Sequence, residues 1–540
     1  MAKRPFMRGV ELNSLLKRDH TLFGGVLFGL EGRTIELQAR AVAVRSSPWP
    51  WKFAVSITGM ATGSIREAID RISGAFSKYE IPQPEVEIVI NLAPADLPKE
   101  GTWLDLPLAI IMLQAAGILP DLPEATEDKF VLVGEMGLHG EVRRVPGVLA
   151  MAYSSKPGQT LIVPQGNEKE CALIMAAPGH EDCKIAAVST IMEVIEYFQG
   201  KQKLKNALSQ RIEFEHVLPE SLDLSRIRGH EKAKEAALIA AAGGHNLLLV
   251  GPPGEGKSLL ASTIPGILPR LNNEDAIELT RIYSAAGALE KDGQIVSRRP
   301  MRSIHHSASK QALIGGGSGV PRPGEITMAH LGVLFLDELA EFSGKTLDSL
   351  RQPIEDGRIT ISRVGATIEY PSRFALVAAM NPCPCGYFGD EKCMCKESDV
   401  KKCQSKISGP VLDRLDLKVE MTTLSIEQRF SEESGPSSAE YRKRVELARK
   451  RQDKRFAGSK IPFNAAIPGG HVRDYCAFSE NGFSAYRSAI EKNRVSTRSM
   501  DRIAKVARTI ADLYNSEAVE PPHVDRATDY VVGNLKLAAF

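Results

Sequence analysis

Residues 245–263, HNLLLVGPPGEGKSLLAST, run an apolar segment into a glycine-rich turn that ends on a lysine and a serine. Gly251, Pro252, Pro253, Gly254, Glu255, Gly256, Lys257 and Ser258 satisfy the spacing GxxxxGK[ST] between a strand-like run and a helix-like one. Glycines so spaced let successive backbone N–H groups converge on a phosphate chain, and a helix starting there adds its positive end. Lys257 then reaches the β- and γ-phosphates, and the Ser258 hydroxyl ligates Mg²⁺. A second stretch, GVLFLDELAEF (332–342), ends four apolar residues on Asp337 and Glu338. That pattern is a buried strand delivering two carboxylates, Asp337 to hold Mg²⁺ through water and Glu338 to position and deprotonate an attacking water. A third apolar run, FALVAAMN, stops at Asn381. Its amide either orients the same water or opens a turn before Pro382.

Two arginines stand where they can complete this chemistry. Arg414, in SGPVLDRLDL, lies among apolar residues and can project into a neighbouring subunit's site. Arg498, in VSTRSMDRIAK, falls in the first turn of a C-terminal helix, placed to reach the γ-phosphate from above. Each is equally open to an ordinary surface ion pair.

For these residues to meet, the segments between them must alternate as strands and helices. GHEKAKEAALIAAAGGH (229–245) reads as an alanine-rich helix closing at Gly243-Gly244 before the strand NLLLV, and alternation continues to about 424. Residues 425–540 turn helical and charged, most clearly in 439–456 and 496–514. Upstream, in residues 1–198, EVEIVINLA (85–93) and TLIVP (160–164) read as buried strands. Residues 65–76 and 104–117 repeat apolar positions at helical spacing, making an α+β or α/β unit. Between them, residues 199–226 lose apolar periodicity and gain charge, as a linker does. At 540 residues the chain exceeds one compact core, so about three or four domains are expected.

No apolar run is long enough to cross a bilayer, and MAKRPFMRGVELN lacks the apolar centre of a secretion signal. A cytoplasmic protein is expected, with its eight cysteines reduced. A net charge of +2 does not argue for a nucleic-acid partner, so any such case rests on local patches.

The order of phosphate loop, acidic pair, Asn381, Arg414 and Arg498 resembles an AAA+ ATPase, a parallel sheet flanked by helices with a C-terminal helical lid. More narrowly, the chain resembles the magnesium-chelatase-like ComM/YifB family. The match is carried by residues 227–258, by HHSASKQALIGGGSGVPRPGEITMAHLGVLFLDELAEF (305–342), and by 350–363, 407–417 and 91–110. The resemblance implies ATP and Mg²⁺, a homo-hexameric ring, and DNA branch migration during recombination or natural transformation. The alternative is a magnesium-chelatase-like or protein-remodelling ATPase acting on a partner protein. Glu255 departs from the family, where a small residue is usual, and its charge near the phosphates can weaken nucleotide binding.

The first 198 residues resemble the Lon protease domain, a ribosomal-S5-like α+β fold, through 134–155 and 160–170. Peptide cleavage there needs a serine nucleophile and a lysine base. GTWLDLPLA offers no serine and GVLAMA offers Leu149, so a non-catalytic scaffold is expected. Two segments flank the acidic pair like loops lining a ring's channel. The first, 298–325, carries Arg298, Arg299, Arg302, His305, His306, Lys310 and Arg322 around Gly315-Gly316-Gly317. The second, 357–373, reads as a β-hairpin turning near Val364-Gly365 with Arg363 beside the tip. Arg302, Lys310, Arg322 and Arg363 are candidate contacts to backbone phosphates, which need cations and N–H donors but no sequence readout. The bland alternative is an exposed basic face.

Finally, Cys383, Cys385, Cys393, Cys395 and Cys403 crowd into residues 383–403. Two C-x-C pairs and a fifth thiol either enclose a structural Zn²⁺ or remain free thiols. Cys171, Cys183 and Cys476 are isolated and read as packing residues.

Overall fold

A computed structural model describes residues 16, 18–43, 54–59, 63–82, 86–120, 129–176, 180, 182–206, 222–289, 295–317, 319–363, 366–407, 409–430 and 435–533. The hairpin tip Val364-Gly365, the first thirteen residues and 207–221 of the expected linker lie outside the described residues.

An eight-stranded sheet organises the first unit, in the order Lys205–Asn206, Lys184–Val188, Thr160–Pro164, Phe130–Leu132, Asp19–Phe28, Glu31–Ala43, Val86–Ala93, Ala54–Thr58. The strands read at 85–93 and 160–164 are both present, as are helices Gly63–Lys78 and Asp105–Ala115. Every residue of Asp105–Ala115 is buried, because this helix packs between the sheet and Gly63–Lys78. Strand Lys205–Asn206 extends the sheet into the stretch read as linker, which therefore begins inside the first unit.

The second unit is built on five short strands, ordered Met301–Ile304, Val333–Leu336, Ala375–Met380, Leu247–Val250, Leu417–Glu420. All four pairings are parallel. A parallel sheet needs both faces covered, and here helix Glu231–Gly243 closes one of them. That helix shares a single apolar cluster with Ile503, Val506, Ala507 and Ile510 of the C-terminal helix Thr497–Leu513. His245 adds a polar tie, its ring contacting Thr509 Oγ1 at 2.9 Å and Asp416 Oδ2 at 3.3 Å. The helical unit starts at Ser438–Arg455, whose N-terminus is closed by a capping box of Ser437 and Glu440.

The first unit grips the second at helix Asn273–Ala285. Ile277 enters the apolar cluster of Val148, Leu149 and Met151, and Arg281 donates to Leu30 O at 3.0 Å. At the turn Gly29, φ +66°, a side chain would collide with Ile368 Cγ2 at 2.6 Å, so the Ile368 side chain packs directly on the Gly29 backbone. Buried Glu170 completes the contact, accepting from Ser284 Oγ and Asn167 Nδ2, both at 2.5 Å. Burial pushes its carboxyl above the usual glutamate value despite those donors. The folded state thus holds the proton more tightly than the unfolded chain. This group's contribution to stability is complete below the unfolded pKa and is lost as pH rises through the folded one. Glu170→Gln should therefore melt higher than wild type at pH 8, with the gap closing towards pH 5. Melting curves across that range check the sign.

Candidate functional site

Parallel pairing delivers the chemistry. Ile304 pairs with Leu336, Leu336 with Ala378, and Val250 with Met380. The residues that follow these strands, His305-His306, Asp337-Glu338, Asn381 and the loop Gly251–Ser258, therefore emerge at one edge of the sheet. Ligands of open parallel sheets bind at that carboxyl edge.

Gly254 and Gly256 hold φ of +81° and +83°, values that keep the loop open for backbone amides and start helix Lys257–Ile267. Lys257 is buried. Its Nζ donates to Gly251 O and Pro252 O at 2.7 Å and to Asn381 Oδ1 at 3.1 Å. Burial pushes this ammonium below the usual lysine value, offset in part by Asp337 and Glu255. A desolvated cation held only by neutral oxygens is matched by an anion. Ser258 Oγ donates to Asp337 Oδ2 at 2.9 Å, bringing together the two expected Mg²⁺ ligands. Glu338 adopts a left-handed backbone, φ 52°, a strained conformation for glutamate. His306 Nδ1 lies 3.0 Å from its Oε2, and His305 lies against His306 with ring centroids 4.0 Å apart.

Membership of a basic run does not by itself place His306 beside Glu338. Its position at the end of strand Met301–Ile304, one strand from the acidic pair, is the signal that finds it. Glu255 is likewise not a bare charge. Its carboxylate takes Arg429 Nη2 at 2.8 Å and the Leu424 N–H at 3.4 Å, with His230 Nε2 at 3.9 Å. The departure from the family is compensated by a partner 174 residues away.

The two arginines are not brought to this edge. Asn246 Nδ2, just before strand Leu247–Val250, donates to Arg414 O at 2.8 Å, so Arg414 stands at the amino edge of the sheet. Its guanidinium pairs with Glu355. Arg498 Nη1 lies 3.6 Å from Asp413 Oδ2, next to Arg414, rather than over its own phosphate loop. Five residue steps from Asn246 to Gly251 make this separation about 17 Å.

The expected DNA contacts divide. Arg302 is removed by a bidentate pair with Glu325 at 2.5 and 2.8 Å. Arg299 is spent on Pro269 O and Leu331 O, at 2.5 and 2.6 Å, fastening backbone. Lys310, Arg322 and Arg363 are exposed, and their side chains carry no hydrogen bond or ion pair among the described residues. Gly316 pairs with Arg322 across a short ladder, and a side chain on Gly316 would lie 3.1 Å from Arg363 Nη2. The glycine-rich insert and the hairpin Arg358–Arg363/Ala366–Pro371 therefore meet. In the first unit, Leu149 is buried in an apolar cluster.

Comparison with known proteins follows this layout. Residues 50–167 match the family "Subunit ChlI of Mg-chelatase", 223–429 "Magnesium chelatase, subunit ChlI", and 435–531 its C-terminal family. The chain is 41% identical to YifB of Escherichia coli, covering 88% of this chain and 91% of that protein. It is 38% identical to competence protein ComM of Haemophilus influenzae, covering 92% and 95%. The chain belongs to the ComM/YifB family of magnesium-chelatase-like proteins. A magnesium-chelatase 38 kDa subunit of Cereibacter sphaeroides is 25% identical over 29% of this chain.

Such an AAA+ family member implies ATP and Mg²⁺, and the residues present fit both. Lys257 and the loop amides would hold the phosphates, with Ser258 and Asp337 holding the cation. Bound Mg²⁺ would neutralise charge on the phosphates. Glu338 would take a proton from water and Asn381 would orient it, while the pairing of Glu255 with Arg429 weakens the carboxylate's effect on the loop. Arg429→Ala should unscreen that charge and weaken ATP binding about fivefold. Adding Glu255→Thr to that variant should restore it, as titration with fluorescent ATP can measure.

Proposed function

We propose that this protein is an ATPase that works as a hexameric ring and moves DNA strands or junctions, most specifically as a branch-migration motor in the cytoplasm. The observation that carries the reading is the placement of Arg414. Lying an entire strand length from its own phosphate loop, it can meet a γ-phosphate only when a second copy presents one. Arg498, beside it, belongs to the same face and would act on the same neighbouring nucleotide. Head-to-tail contacts of this kind close into rings when the rotation permits.

DNA as the track is supported by the convergence at Gly316 of Arg322 and Arg363, with Lys310 leading into the same insert. Exposed cations beside a glycine-rich insert, without side-chain partners among the described residues, suit contact with a phosphate backbone and read no sequence. We also take the sequence divisions as working domains, 1–198, 199–226, 227–424 and 425–540. The first of these serves as a non-catalytic scaffold, because Leu149 occupies the place of a base.

Mixing separates the ring from a monomeric enzyme. Lys257→Ala and Arg414→Ala should each lose ATP turnover about 100-fold or more. An equimolar mixture should recover about a quarter of the wild-type rate, because one interface in four then pairs an intact loop with an intact arginine. No recovery, or full-rate turnover by a monomer, overturns the ring.

A four-way junction tests the track. Wild type should exchange its strands and Lys257→Ala should not. Arg322→Ala/Arg363→Ala should cut DNA-stimulated turnover about 10-fold and flatten the salt dependence of binding. Stimulation by a partner protein but not by forked or four-way DNA would favour protein remodelling instead.

A further inference from the structure

Five cysteines fall within 383–403, and the structure sorts them. Cys403 lies on helix Glu397–Gln404 in the apolar cluster of Leu339, Phe342 and Ile407, and its thiol takes no part in the group. The other four gather, with sulfur atoms all within 4.8 Å of one another. Cys383 Sγ lies 3.3 Å from Cys385 Sγ and 3.9 Å from Cys393 Sγ, and Cys385 Sγ lies 3.7 Å from Cys393 Sγ.

Two chemistries bring thiols together, and distance separates them. A disulfide needs sulfurs about 2.05 Å apart. Four thiolates around Zn²⁺ at about 2.3 Å occupy a tetrahedron whose edge is about 3.8 Å. The separations of 3.9 and 3.7 Å match that edge, and the 3.3 Å one, though shorter, is far from a disulfide.

The loop is also shaped as a cage. In both C-x-C pairs the middle residue, Pro384 or Met394, faces solvent while the flanking thiols turn inward, and Met394 is 90% exposed. Gly386 donates its N–H to Cys383 O at 3.0 Å, and the Cys385 N–H reaches Cys395 Sγ at 3.4 Å.

The position of the cage connects it to the nucleotide site. Cys383 follows Asn381 by two residues. Gly386, φ +85°, packs on the phosphate loop so closely that a side chain there would lie 2.5 Å from Pro253 Cδ. Buried Gln404 ties the far end of the insert back, donating to Pro382 O at 2.9 Å. A collapsed cage would release both Asn381 and the wall behind Pro253.

We propose that Cys383, Cys385, Cys393 and Cys395 bind one structural Zn²⁺, and that this metal positions Asn381 and backs the phosphate loop. The second half rests on the reading of that loop as the nucleotide site. Binding replaces the thiol protons with Zn–S bonds and releases those protons to solvent; no electrons move.

The experiment uses the full chain purified without chelators. Elemental analysis should find about one zinc per chain. A mercurial thiol reagent should release it in step with thiol modification. Protein produced with Co²⁺ should show the charge-transfer and ligand-field bands of a tetrahedral tetrathiolate, a readout that needs no variant. Cys403→Ser should keep the metal, while Cys385→Ser and Cys393→Ser should lose it. Zinc-free protein with reactive thiols, or metal loss in Cys403→Ser, overturns the site.

For the link to the loop, zinc removal should weaken binding of fluorescent ATP about 10-fold, and ATP should raise the affinity for zinc by the same factor. Re-addition of Zn²⁺ should restore binding. Unchanged ATP affinity in stripped, folded protein overturns the positioning role while leaving the site standing. None of these readouts involves DNA or ring assembly, so they fail or succeed independently of the motor reading.

Discussion

Parallel pairing of five short strands is the constraint on which the site depends. Each strand is only four to six residues long, so one residue of slippage would invert its side chains between the two covered faces. Burial of both faces therefore holds the register, and the register brings the strand ends to one edge. Lys257, Asp337, Glu338, Asn381 and His306 come from four segments distant in sequence. What gathers them is the apolar content of Leu247–Val250, Val333–Leu336 and Ala375–Met380, far more than any attraction among the polar groups.

The same sheet separates as well as gathers. Its amino edge carries Asn246, Asp413 and Arg414, with Arg498 drawn to Asp413. A rigid strand cannot shorten, so a guanidinium at one edge has no route to phosphates at the other. Partition of these groups between opposite edges is what the proposed association of copies would bridge. The first unit bears on this arrangement through helix Asn273–Ala285 and through Gly29, which backs the hairpin that carries Arg363.

Charges around the site are mostly answered locally. Glu255 has Arg429, and Arg302 has Glu325. Lys310, Arg322 and Arg363, whose side chains have no partner among the described residues, stand on inserts outside the sheet. Buried charges require partners because desolvation is costly, whereas exposed ones do not. Cations left unpaired on an exposed, glycine-tipped insert are thus free to bind something else.

Local pattern was enough to locate the phosphate loop, the acidic pair, Asn381, the helices at 229–245 and 496–514, and the strands at 85–93 and 160–164. Each rests on short-range chemistry: glycine's left-handed freedom, apolar periodicity, or a polar residue ending an apolar run. Pairings across the fold were beyond such reasoning. That Arg302 belongs to Glu325, that Glu255 meets Arg429, and that Cys403 stands apart from the other four thiols are facts of three-dimensional approach. Contacts between residues tens to hundreds of positions apart depend on how the sheets and helices stack, and one stretch of sequence carries no record of its distant neighbours. The sequence by itself determined which groups can do chemistry; the tertiary structure alone decided which edge of the sheet each one occupies.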